Sequence, residues 1–176
     1  WGAAVGVDID RDGKSIWVFD RCASATDCSD SPLNPIQKFD ASGKLVTSFG
    51  AGMFNYPHGL YVDRDNNIWV SDGRAKNNGK GHTVMKFSAA GRLLMTLGKP
   101  GGNVPGQPAD PASFYQPNDV ITYPNGDILV AEGHGNAPPA TARLIRFDRT
   151  GKFLRAYRRC ADARTAASRW RSERTR

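Results

Sequence analysis

No run of about 18 apolar residues occurs anywhere in the 176-residue sequence, so no helix of membrane-spanning length is expected. No signal peptide is visible, and no Met precedes Trp1, which fits a fragment or a trimmed chain. Cysteine and histidine are scarce, at 3 residues each. Cys22 and Cys28 share a Ser/Asp/Ala loop, and a zinc knuckle would want a second Cys/His pair beside them. That spacing suits a local disulfide in an oxidising compartment, so an exported protein, periplasmic or extracellular, is expected. Positive charge is also scarcer than the net +7 suggests. Residues 158–176 carry seven Arg against Asp162 and Glu173, a balance of +5, which leaves +2 for everything before them. A near-neutral body lacks the basic face that nucleic-acid binding requires, so no nucleic-acid partner is expected.

What the chain does have is repetition. Gly59 to Asp63 and Ile68 to Asp72 read as two strands around Arg64-Asp65-Asn66-Asn67, with β-branched and aromatic residues inside and Asp/Asn at the bend. The same cassette precedes it at Gly6 to Asp10 and Ile16 to Asp20. It follows at Asp119 to Tyr123 and Ile128 to Glu132. Each cassette continues into a second hairpin whose Phe-x-x-x-Gly-(Lys/Arg) signature recurs at Phe39, Phe87 and Phe147. Four strands per unit at this period mean propeller blades, and a ring takes about 4 to 8 of them. The fold expected is therefore all-β, a partial β-propeller of about three four-stranded blades at 1–50, 51–98 and 113–157. The basic tail 158–176 breaks the repeat and is expected to lie outside the fold.

Several residues carry competing meanings. Asp8 to Gly13 opens like a calcium loop, but Phe19 stands where a bidentate Glu is needed, so a hairpin turn at Asp12-Gly13 is the better reading. Trp17 and Trp69 occupy matching strand positions, as does Leu129, and read as packing between sheets. Asp20, Asp72 and Glu132 end equivalent strands and either cap the adjacent turn or line the channel. His82, in a Gly/Lys/Asn loop, reads as solvated.

Gly52 to Asp63 reads Gly-x-Phe-x-x-Pro-His-Gly-Leu-x-Val-Asp. With the Lys-Phe-x-x-x-Gly closures and Gln116-Pro117-Asn118-Asp119-Val120, it resembles NHL-repeat propellers, and among them the peptidyl-α-hydroxyglycine α-amidating lyases with their bacterial relatives. The resemblance implies a six-bladed ring that cleaves peptidyl-α-hydroxyglycine to a peptide amide and glyoxylate, at a zinc held by three His with calcium nearby. It also implies that His58 is a zinc ligand, that Val7 and Leu60 offer backbone carbonyls to calcium, and that Arg21 contacts substrate. Glu132-Gly133-His134-Gly135 replaces an Asp-Gly-Tyr-Cys pattern whose Tyr is the proposed base, and His134 has a suitable unperturbed pKa for that role.

Two functions are therefore expected to compete. One is a fragment of a metal-dependent lyase-like propeller, inactive as given and binding neither zinc nor calcium tightly, because one His is too few for zinc. The other is a non-catalytic NHL-type propeller presenting loops to a peptide, protein or saccharide. In either case the partner is a peptide, a small-molecule substrate or a protein ligand, and an open arc is expected to self-associate.

Overall fold

The computed structural model describes residues 2–24, 26–103, 110–134 and 142–158. These form three antiparallel sheets of four strands, each made from consecutive strands. Blade 1 comprises β1 (Ala4–Ile9), β2 (Ile16–Asp20), β3 (Ile36–Phe39) and β4 (Leu45–Phe49). Blade 2 comprises β5 (Pro57–Val62), β6 (Ile68–Asp72), β7 (Thr83–Phe87) and β8 (Leu93–Leu97). Blade 3 comprises β9 (Pro117–Thr122), β10 (Ile128–Glu132), β11 (Arg143–Phe147) and β12 (Phe153–Arg158). The three-bladed propeller arc read from the repeat is thus the observed fold. Of the basic tail, residues 159–176 lie outside the described residues.

Local chemistry explains the hairpins. At the second hairpin of each blade, Asp40 and Asp148 accept backbone hydrogen bonds from residues two and four further on, while Gly43, Gly91 and Gly151 take φ between +82° and +88°. That left-handed backbone costs glycine nothing and costs other residues a Cβ clash.

Alternation along the central strand β6 of blade 2 sends its side chains to both neighbouring blades, Ile68 and Val70 toward blade 1 and Trp69 toward blade 3. Trp17 and Phe19 pack toward blade 2, against Val62, Ile68, Val70 and Phe87, with Phe54 from the linker. Trp69, Val84 and Leu97 pack toward blade 3, against Val120, Ile128, Val130, Ile145 and Phe147, with Phe114 from its linker. Each such side chain fully buried is worth about 1.5–3 kcal/mol, so the blade junctions are the core.

Both indoles also have polar partners. Trp17 Nε1 donates to Asp10 Oδ2 at 2.7 Å and Trp69 Nε1 to Asp63 Oδ2 at 3.0 Å. A lysine neutralises each acid: Lys38 lies 2.8 Å from Asp10, and Lys86 lies 3.3 Å from Asp63. Burial pushes both carboxyls up, but the hydrogen bonds and lysines outweigh it and hold them below the usual range. Blade 3 departs from this unit. Leu129 replaces the indole, and Arg146 bonds to Asp127 at 2.9 Å while lying 4.7 Å from the Tyr123 ring centroid.

Cys22 and Cys28 form the expected disulfide, with sulfurs 2.09 Å apart. Both are buried against blade 1 and the Phe54 linker. Closing so short a loop restricts the unfolded chain, so Cys22→Ser/Cys28→Ser should unfold about 2 kcal/mol more easily in urea. Equal midpoints for the oxidised and double-serine forms would contradict this.

Candidate functional site

The three acids that end equivalent strands are backbone clamps. Asp20 Oδ2 accepts from Gly2 N at 2.6 Å, and its Oδ1 accepts from Cys22 N at 2.7 Å. Asp72 accepts from Asn55 N at 2.9 Å and Tyr56 N at 2.6 Å. Glu132 accepts from Tyr115 N at 2.7 Å and is paired with buried Arg143. The expected capping of the adjacent turn is seen at Asp20, through Cys22 N, and at Asp72, through Arg74 N, while the contact common to all three ties the segment before the blade's first strand to the end of the second. The segments so fixed carry the residues of interest.

Tyr56 and His58 sit side by side at the start of β5, with ring centroids 6.2 Å apart. The guanidinium carbons of Arg21 and Arg74 each lie 3.9 Å from the Tyr56 ring centroid. Two groups that close cannot share one face, so the ring is held between them. Arg21 also donates from Nε to the Pro57 carbonyl at 3.2 Å, which directs it alongside His58.

On the other side of His58 stands His134, ring centroids 4.6 Å apart in an edge-to-face contact. His58 Nδ1 lies 3.0 Å from the Asn118 carbonyl, which can only accept. Nδ1 therefore carries the hydrogen, leaving the neutral ring its Nε2 lone pair, the arrangement that orients metal-binding histidines. Gly59 makes room for this contact, since a Cβ there would lie 2.4 Å from the same carbonyl oxygen. Burial, opposed by the Asn118 contact and reinforced by His134 and Arg21, lowers the His58 pKa and keeps the ring neutral near pH 7.

A cleft of about 430 Å³ joins His58 to Val7, Leu60, Asn118 and Asp119. The residues that the resemblance singled out thus converge: Arg21, His58 and His134 in one row, Val7 and Leu60 beside them. Tyr56, Arg74, Asn118 and Asp119 were missed as contributors. Arg74 was recoverable, because it occupies the place in blade 2 that His134 occupies in blade 3, two residues after the clamping acid. Asp119 brings a carboxylate to a cleft where only carbonyl oxygens were expected. His82 corrects the sequence reading: it is buried, its Nδ1 lies 3.2 Å from the Gly101 carbonyl, and its ring meets Tyr115 edge-on at 5.2 Å. Gly81 and Gly102 allow this, as a side chain at either would clash with its surroundings.

For zinc, His58 fits as one ligand by its tautomer and free Nε2. Among the described residues no group of three or more His, Cys, Asp or Glu stands ready to hold a metal. For calcium, two carbonyl-bearing residues and Asp119 are the right hard-oxygen chemistry but too few for the 6–8 oxygens it prefers.

Residues 54–79, which hold Tyr56, His58 and Arg74, match the NHL repeat. The chain is 37% identical over 112 residues to a probable peptidyl-alpha-hydroxyglycine alpha-amidating lyase of Caenorhabditis elegans, covering 63% of this chain and 28% of that protein. It is 32% identical over 117 residues to peptidyl-alpha-hydroxyglycine alpha-amidating lyase 1 of Drosophila melanogaster, covering 65% and 19%. The chain thus spans less than a third of these relatives. Among solved structures, a virginiamycin B lyase from Staphylococcus aureus superposes with a TM-score of 0.54 at 19% identity, over 90% of this chain and 42% of that one. At that identity only the fold is shared.

Proposed function

We propose that this chain, an NHL-repeat propeller arc resembling the peptidyl-α-hydroxyglycine α-amidating lyases, supplies one wall of a lyase site of that type. The observation that carries the reading is the row Arg21–Tyr56–His58–His134, in which a cation, a metal-competent neutral imidazole and a second imidazole line up within contact distance. The substrate class has a terminal carboxylate and a hydroxyl on the carbon bonded to the amide nitrogen. Arg21 and Arg74 supply positive charge for the carboxylate. In this reading His134 takes the hydroxyl proton as the carbon–nitrogen bond breaks, giving glyoxylate, while the amide nitrogen takes up a proton. No electrons are gained or lost. Zinc, when bound, would polarise the hydroxyl oxygen, and His58 is the residue here that would hold it. Val7, Leu60 and Asp119 are the oxygen donors offered toward calcium. The buried disulfide supports an exported protein.

With one candidate zinc ligand where about three are needed, this chain alone should bind zinc weakly and show no turnover. The test therefore reads the site. Nuclear magnetic resonance titration with zinc should move the His58 ring signals at high zinc concentration, and His58→Ala should remove the response. A peptide ending in α-hydroxyglycine should perturb His134, with affinity about tenfold weaker in Arg21→Met for the loss of a charge-assisted contact. If neither addition touches these rings, the lyase reading fails and a non-catalytic propeller presenting its loops takes its place.

A further inference from the structure

His58 stands near the start of β5, and the turn that follows the end of this strand borders a second cleft, of about 580 Å³, between blades 2 and 3. The turns that meet at the blade junctions are equivalent. Asp10, Asp63 and Tyr123 each donate their backbone N to the carbonyl that closes the turn, on Ser15, Asn67 and Asp127, which matches Arg11 with Arg64 and Pro124. At the first junction the turns are tied together. Arg11 Nε donates to the Asp63 carbonyl at 2.8 Å and its guanidinium also donates to the Val62 carbonyl. Asn66 Oδ1 accepts from Arg11 N at 3.3 Å, and Asn66 Nδ2 donates to Asp10 Oδ1 at 3.4 Å.

The second junction departs from this. Gly126 occupies the place of Asn66, so no side chain reaches back from blade 3, and the Arg64 side chain has no hydrogen bond or ion pair to any described residue. It lines the cleft instead. A second arginine comes from the outer turn of blade 3. Asp40, Ser88 and Asp148 open equivalent turns, which puts Arg149 where the other blades have Ala41 and Ala89. Gly126 accepts its stem, since a Cβ there would stand 3.1 Å from Arg149 Cβ and 3.8 Å from its Cδ. Arg149 lines the same cleft, and its guanidinium also has no partner among the described residues. Lys86 is a third cation on the wall, but Asp63 neutralises it at 3.3 Å. Asp65 is then the one acid in the lining set against two arginines.

We propose that this cleft binds a phosphorylated small molecule, with its phosphate between Arg64 and Arg149. One bidentate guanidinium satisfies a carboxylate, whereas a phosphate monoester carries nearly two charges and three strongly accepting oxygens, enough for an arginine from each wall. The volume falls within the range of small-ligand clefts and leaves room beyond the phosphate. The body of the ligand lies along Tyr123 and Asn125, a ring and an amide that are both exposed. This site is at the opposite end of β5 from His58 and does not rest on the lyase reading.

Titration calorimetry of the 176-residue chain in low-salt buffer should show binding of glucose 6-phosphate and none of glucose. Inorganic phosphate should bind more weakly than the sugar phosphate. Arg64→Met and Arg149→Met, both at exposed positions, should keep the circular dichroism spectrum and each weaken glucose 6-phosphate about tenfold, for the loss of a charge-assisted contact. Arg92→Met removes the same charge from an exposed turn outside the cleft and should leave the affinity unchanged. The proposal is overturned if neither phosphate binds, if glucose binds as well as its phosphate, or if Arg92→Met weakens binding as much as the cleft variants do. Inorganic phosphate binding as tightly as glucose 6-phosphate would overturn the place given to the ligand body.

Discussion

Arg143→Met is expected to lower the unfolding free energy by about 3–5 kcal/mol, the usual cost of breaking a buried ion pair from one side. Arg143 and Glu132 are nearly inaccessible at the head of blade 3. The arginine donates to Glu132 through Nε and to the Ser113 carbonyl at 2.6 Å, so its loss leaves Glu132 Oε1 without its donor and takes one of two donors from the Ser113 carbonyl, Asn103 Nδ2 being the other. Burial already raises the Glu132 pKa, with Arg143 the main opposing influence. Adding Glu132→Gln should recover part of the loss, since a neutral side chain no longer needs the cation and Gln can still accept from Tyr115 N. Urea unfolding decides it. A cost below about 1 kcal/mol for Arg143→Met, or no recovery in the double variant, would show that the pair does not hold the blade together.

The second large effect is a pH dependence assigned to Asp72. Burial raises its carboxyl to about 6, against the backbone donors of Asn55, Tyr56 and Arg74 and the charge of Lys80, which favour the ionised form. In the unfolded chain it returns to about 3.9. Between these values the folded state binds the extra proton, so this group's contribution is fully present below about pH 4 and is lost as pH rises through about 6. The difference of roughly two units corresponds to about 3 kcal/mol. Absolute stability will not show it directly, because Asp10 and Asp63 have lowered values and act in the opposite sense as pH falls. The comparison with Asp72→Asn isolates it: stability of the native protein minus that of the variant should grow on acidification from pH 7 to pH 4. A difference that stays flat or shrinks would mean that burial does not raise the Asp72 carboxyl.

The sequence was legible where one interaction type repeats. Strand alternation, Asp/Gly turns and the Phe-x-x-x-Gly closures are local, and they placed three four-stranded blades correctly. Trp17 and Trp69 were read as packing and are packing. What local pattern could not deliver is convergence between blades. His58 meets His134 and the Asn118 carbonyl across some sixty to seventy-six residues of chain, and only the blade-to-blade register brings them together. The burial of His82 was invisible for a related reason. Its polar Gly/Lys/Asn surroundings suggest solvent, but Gly81 and Gly102 let backbone close over the ring. The ambiguity over Asp20, Asp72 and Glu132 had the same root, because a clamp and a channel lining differ only in which way a strand end faces.

The acid clamps also bear on how such a protein changes size. Gly2 reaches Asp20 over 18 residues, Asn55 reaches Asp72 over 17 and Tyr115 reaches Glu132 over 17. Every clamp is therefore closed inside its own blade and refers to no other. A whole blade can be duplicated or deleted in the gene without severing any of them, as long as the cut falls in the linker ahead of the clamped segment. A cut between the first strand and its acid, by contrast, parts the clamped backbone donors from their acceptor, one of them at Asp20 and Glu132 and two at Asp72. Blade number is thus free to drift while blade anatomy is not.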